Sequence, residues 1–129
     1  MATPYTHRKL TDVQDSGAKF GLDAVQEARF ANNDLDAADT GVSHQRLKPG
    51  KRQRFGHKHE RAEEVYVVLS GSGRVKLDDD ILDIETLDAI RVAPTVTRAF
   101  EAGSDGLEIL AFGPRREGDG EVIEGWWSE

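Results

Sequence analysis

The chain of 129 residues contains no cysteine, which excludes a disulfide framework and thiol chemistry. It has no basic excess: 17 Lys and Arg stand against 24 Asp and Glu, a net charge of −7, which argues against a general nucleic-acid binder. No run of about 18 apolar residues occurs, so no membrane-spanning helix is expected. The opening MATPYTHRKLTDVQDSG lacks the apolar stretch of a secretory signal, and the expected location is cytoplasmic. Neither a Gly-x-Ser-x-Gly elbow nor a phosphate-binding glycine loop is present. There are no internal repeats and no linker, so the length corresponds to one domain, 1–129, able to bury a modest core.

What is present is concentrated in residues 56–73, GHKHERAEEVYVVLSGSG. His57 and His59 stand two apart, and the period of a β-strand is 2, so both imidazoles project from one face. Glu64 follows five residues after His59 and opens the next apolar stretch. Two imidazoles and a carboxylate on facing strands can chelate a divalent transition metal such as iron, manganese, nickel or zinc. The run VYVVL is β-branched and aromatic and is closed by Gly71 and Gly73, which reads as a buried strand. Tyr66 shares the parity of Glu64 and is expected to line a cavity beneath the site.

The remainder divides into an arm (1–40), a β-rich body (42–113) and an acidic, glycine-bearing tail (114–129). In the arm, Asp23 either caps a short helix over 24–31, or a strand occupies 27–31. A strand over 42–47 ends at Pro49-Gly50, and its His44 faces either the lumen or solvent. Lys51, Arg52 and Arg54 form either an anion-attracting lip or a solvated loop. Gly71-Ser72-Gly73 predicts a hairpin turn with a return strand over 74–77, and Asp78-Asp79-Asp80 a second tip. Strands over 81–87 and 88–92 follow, the latter stopped by Pro94, and a last pair, 97–101 and 107–112, is expected around the turn AGSDG. Many short strands with glycine-rich turns predict an all-β barrel or sandwich. Of Trp126 and Trp127, either one packs on the barrel and the other covers a partner subunit, or both pin the tail to its own domain.

The central stretch resembles the first motif of the cupin superfamily, G-x5-H-x-H-x3-4-E-x6-G. His57, His59, Glu64 and Gly71 match it with the four-residue spacer. Glu63 would suit the shorter spacer, but the glycine spacing then fails by one, and the leading Gly50 lies seven residues before His57. The second motif, G-x5-P-x-G-x2-H-x3-N, is placed from Leu87, with Ala93, Thr95, Arg98 and Ala102 at its other defining positions, and all five residues differ from it. The resemblance implies a jelly-roll-like antiparallel β-barrel with a short helical or irregular N-terminal arm, and a homodimer. It also implies a metal site in which Arg98 stands where a third histidine would complete the ligand set.

A guanidinium cannot ligate a metal, but it clamps carboxylates well. Three arrangements stay open: a metal on His57, His59 and Glu64 with Arg98 positioning an anionic small-molecule ligand; no metal, with Arg98 paired to Glu64; or Arg98 turned out of the cavity. Ligand-binding candidates are therefore Arg98, Tyr66 and His44. If the chain is an enzyme, the resemblance implies dioxygenase, isomerase or decarboxylase chemistry. No helix-turn-helix segment accompanies it, as would suit a DNA-binding regulator.

Overall fold

The computed structural model describes residues 4–17, 19 and 22–127. Eight strands follow in order: β1 (Gln26–Phe30), β2 (Thr40–Leu47), β3 (Gly56–His59), β4 (Glu64–Leu77), β5 (Asp80–Glu85), β6 (Ala89–Val92), β7 (Arg98–Pro114) and β8 (Gly120–Ile123). All pairings are antiparallel, in the order β1-β2-β7-β3-β8, while β4 pairs with β5, β6 and β7. This is the expected all-β, curled antiparallel architecture. Its interior holds Leu47, Tyr66, Val68, Val75, Phe100, Leu107 and Ile109. No helix among the described residues is long and apolar enough to cross a membrane.

The arm contains one 3₁₀ turn, Leu10–Asp12, and then β1, so the strand alternative is correct and the helix over 24–31 is not. Glu27 and Arg29 alternate with Gln26, Ala28 and Phe30, and the latter set lines a cavity. Period 2 overrides the weak capping signal of Asp23.

Two expected hairpins do not exist. β4 runs unbroken for 14 residues and β7 for 17, and the two pair from Val65↔Phe112 to Leu77↔Arg98. The glycines mark corners where one long strand passes from one side of the barrel to the other. The register shifts there, between Val68 and Ser70 and between Gly71 and Gly73. A Cβ on Gly71 would lie 2.1 Å from the Gly106 carbonyl oxygen, and one on Gly73 would lie 2.0 Å from that of Glu101. Close backbone approach, rather than chain reversal, is what requires these glycines.

The C-terminal segment adds β8 against β3, with His57↔Val122 and His59↔Gly120. Beyond it, Trp127 Nε1 donates to the Gln53 carbonyl at 2.9 Å, and Lys76 Nζ donates to the Trp126 carbonyl at 2.6 Å. Lys76 also lies over the Trp126 ring and Arg52 over the Trp127 ring, at 4.4 and 4.5 Å. Both tryptophans thus pin the tail to its own barrel.

Candidate metal centre

β3 presents His57 and His59 on one face, with ring centroids 5.3 Å apart and planes nearly perpendicular. Glu64 opens β4 on the facing side. One ligand atom from each of the three residues falls within 4.8 Å of the others, so the sequence's three metal candidates are brought together. Their meeting point is Glu64 Oε1. His57 Nε2 lies 3.3 Å from it, His59 Nε2 3.1 Å, and the Tyr66 hydroxyl donates to it at 2.8 Å. Burial alone would push the Glu64 carboxyl up. The contacts from His57, His59 and Tyr66 outweigh burial and hold it well below the usual carboxylate range. Tyr66 is pushed the other way, first by burial and then by the Glu64 charge.

His59 supplies a direct test of fit for a metal. Both of its ring nitrogens are shut off from solvent without a hydrogen-bond partner among the described residues, although Nε2 faces the Glu64 oxygen. An imidazole lone pair so placed suits a metal ligand better than a hydrogen-bonded core histidine. The other nitrogen, Nδ1, stands 3.4 Å from Asp119 Oδ2. Asp119 is itself held by the backbone N–H groups of Arg61, at 3.0 Å, and Ala62, at 2.9 Å. Desolvation opposes its ionisation, but those two donors and the His59 charge outweigh it, so its pKa is lowered. A carboxylate behind a ligating histidine sets the ring's orientation and raises its basicity. Asp119 was not singled out from the sequence. Only its place between glycines in EGDGE, a turn signal before a strand, hinted at it.

Arg98 opens β7 directly across from His57, at the position its motif placement gave it. Its side chain is fully buried. The guanidinium donates to the Ala93 carbonyl at 3.2 Å and the His57 carbonyl at 3.4 Å, and Nη1 lies 3.9 Å from Glu64 Oε1. Arg98 is therefore not turned out, and it does not line the two cavities that reach Glu64. It braces the strand bearing His57 against the turn before β7. His44 is not brought to the site. Its neighbours Ser43 and Gln45 line the cavity, so by parity its buried ring points away from it, where Nε2 meets Glu108 Oε2 at 2.6 Å.

The larger of those two cavities, about 370 Å³, carries His57, His59, Glu64 and Tyr66 on its wall, with apolar Leu22, Val25, Phe30 and Phe55 around them. Arg54 stands at its exposed side, so this member of the cationic stretch reaches the cavity. Arg52 is instead paired with Glu101.

A curled antiparallel barrel with two histidines and a carboxylate converging inside it defines a class of small β-barrels built for an internal site. Residues 43–112 match the family described as Cupin domain. The chain belongs to the cupin family. It is 32% identical over 71 residues to an uncharacterized protein of Methanocaldococcus jannaschii. That match spans 53% of this chain and 57% of the relative's length. In structure it resembles a cupin protein of Bacteroides fragilis (23% identity, TM-score 0.70), covering 98% of this chain and 93% of that one. It also resembles the polyketide cyclase RemF of Streptomyces resistomycificus (20%, TM-score 0.73, covering 96% and 87%). A third likeness is to oxalate decarboxylase of Bacillus subtilis (23%, TM-score 0.66), covering 75% of this chain and 28% of that one. At these identities the structural likenesses establish the fold.

Proposed function

We propose that the protein binds a small anionic organic ligand at a divalent-metal centre held by His57, His59 and Glu64, as a dioxygenase, isomerase or decarboxylase would. The observation that carries this reading is the orphaned, buried His59 Nε2 facing the Glu64 oxygen at 3.1 Å. The two-imidazole, one-carboxylate set suits iron, manganese, nickel or zinc and leaves positions open for a ligand. When bound, such an ion supplies Lewis acidity toward a ligand oxygen. The chain's own residues do the rest. Tyr66 fixes the Glu64 oxygen by donating to it, and Asp119 backs the His59 ring. Leu22, Val25, Phe30 and Phe55 keep the cavity apolar, which strengthens every charge interaction within it. Arg54 supports the anionic ligand: it is exposed at the cavity and has no ion-pair partner among the described residues. Calorimetric titration of metal-depleted protein with the four ions tests the proposal. About one ion per chain should bind, and the His57→Ala/His59→Ala variant should lose it. If no ion binds the parent more tightly than that variant, the metal reading is gone.

A second reading rests on Arg98. Its full burial 3.9 Å from Glu64 Oε1 suits a metal-free cavity in which the guanidinium neutralises the carboxylate. The same titration decides between the two, since this reading expects no binding. A homodimer belongs to the proposal as well. Both tryptophans are engaged on their own barrel, and we put the contact on the sheet bearing Leu69 and Phe112, which is supported by their being more than a third exposed. Light scattering should give the mass of two chains, and Phe112→Arg should halve it. A monomeric parent at high micromolar concentration would remove this part.

A further inference from the structure

Three glutamines from three separate segments meet at the wall of the 370 Å³ cavity: Gln26 on β1, Gln45 on β2 and Gln53 in the stretch before β3. Their amide directions are set by one backbone group. The Phe100 N–H donates to Gln53 Oε1 at 3.0 Å, and only the carbonyl end of an amide can accept there. The Gln53 NH₂ therefore points the other way. It donates to Gln26 Oε1 at 2.9 Å and to Gln45 Oε1 at 3.1 Å, which spends both of its hydrogens. Gln26 and Gln45 must in turn aim their oxygens at Gln53 and their NH₂ groups away from it. Gln45 Nε2 donates to Ser43 Oγ at 3.3 Å, which leaves the Ser43 proton without an acceptor among the described residues. Gln26 is 95% buried and lines the cavity, and its Nε2 has no protein partner among the described residues. A single Phe100 N–H is thus relayed through Gln53 into a glutamine face whose open positions are donors, set apart on the cavity wall from the Glu64 carboxylate.

Around these donors the cavity is lined by Leu22, Val25, Ala28, Phe30, Phe55 and Val122. We infer that the wall selects a ligand with acceptor oxygens on an apolar body, a keto or carboxylate compound, whose oxygen is received by Gln26 Nε2. An ammonium or a purely hydrocarbon ligand would cover the Gln26 donor without meeting it, and such mismatches discriminate strongly. This deepens the proposed function by naming the ligand class for the same cavity. It uses no metal ligand, so the two can fail separately.

The test uses metal-depleted full-length protein and neutral probes of matched shape, acetophenone and α-methylstyrene, in which a carbonyl oxygen is exchanged for a methylene. Binding is read from shifts of the glutamine side-chain amide resonances. Acetophenone should bind roughly tenfold or more tightly than α-methylstyrene, the equivalent of one buried hydrogen bond. Gln26→Leu should erase most of that preference. Gln53→Glu should go further. A carboxylate there accepts from both neighbouring amides, turns their oxygens outward, and should favour the donor probe aniline over acetophenone. If Gln53→Glu melts below the assay temperature, Gln26→Leu decides the matter. Equal affinity of the parent for acetophenone and α-methylstyrene, or an unaltered preference in folded Gln26→Leu, overturns the inference. A carbonyl preference in protein that binds none of the four ions supports the wall and removes only the metal reading.

Discussion

Replacing Arg98 by histidine should make metal binding tighter and the metal-free protein weaker, two effects of opposite sign from one substitution. The guanidinium lies 3.9 Å from Glu64 Oε1, so their attraction is on the order of 4 kcal/mol at an effective dielectric of about 20. A cation that takes up the Glu64 charge competes with that attraction. A neutral imidazole at position 98 removes the competition and offers a further ligand. Only part of the attraction is recoverable, because Glu64 also accepts from Tyr66 and remains partly desolvated. We therefore expect about 1–3 kcal/mol, roughly ten- to hundredfold in affinity. On the other side, Arg98 meets the carbonyls of His57 and Ala93, and leaving buried acceptors unmet costs about 1–3 kcal/mol each. Relief of the buried charge offsets some of that. Metal-free Arg98→His should consequently melt lower than the parent, and saturating metal should restore more stability to it than to the parent. Competition against a chromophoric chelator reads the affinity, and thermal unfolding with and without metal reads the stability. A folded variant with unchanged or weaker affinity would refute the electrostatic reasoning. A gain from an undetectable starting point would favour the metal-free reading of the parent.

Glu108 is held down to about 2 by its hydrogen bond to His44 and further by Arg46 and Ser70, against an ordinary value of 4.5. Because the folded value is the lower one, the stabilisation is complete above about pH 4.5 and is lost as pH falls toward 2. It amounts to about 1–2 kcal/mol after solvent screening. Glu108→Gln should flatten the acid limb of the stability profile by that amount, and an unchanged limb would count against the pairing. Leu87 sits at φ 71° and is 79% exposed, where the cupin motif has glycine. Leu87→Gly should therefore raise stability by about 0.5–1 kcal/mol in denaturant unfolding, strain relief exceeding the entropy of the freer chain. Asp119→Asn should leave the His57, His59 and Glu64 donors in place yet weaken metal binding about 10- to 100-fold, measured with the same chelator. Equal affinity would mean that Asp119 serves only the Arg61–Ala62 turn.

The metal candidates were legible because parity and local spacing suffice: two histidines two apart, and a carboxylate opening the next strand. The second motif was legible even though none of its defining residues survives. Arg98 pairs with His57, and Leu87 takes the left-handed backbone a glycine would take. The long bent strands were not legible. Glycine signals permissive backbone, and Gly71-Ser72-Gly73 looks the same whether the chain reverses or bends past Gly106. His44 could not be assigned a face, because period 2 sets alternation and not its phase. Gln45 and Ser43 became identifiable as cavity residues only through their neighbours. Asp119 lies 60 positions from His59, and no local pattern links them. The arrangement comes from β3–β8 pairing, a tertiary choice made among residues of weak strand propensity.

That pairing sets a timetable. His57, His59 and Glu64 leave the ribosome early, but the carboxylate behind His59 and the strand that flanks it come from residues 119–123. A growing chain that has emerged through β6 can pair β1 with β2 and β4 with β5 and β6, but it still lacks the β7 partner of β2 and β4, the Arg98 brace and the Asp119 backing. Contacts of such long sequence separation form late. His57, His59 and Glu64 therefore spend synthesis exposed and poorly oriented. The surroundings of His59 are complete only when β8 docks, so the carboxylate that orients this ring arrives with the last strand.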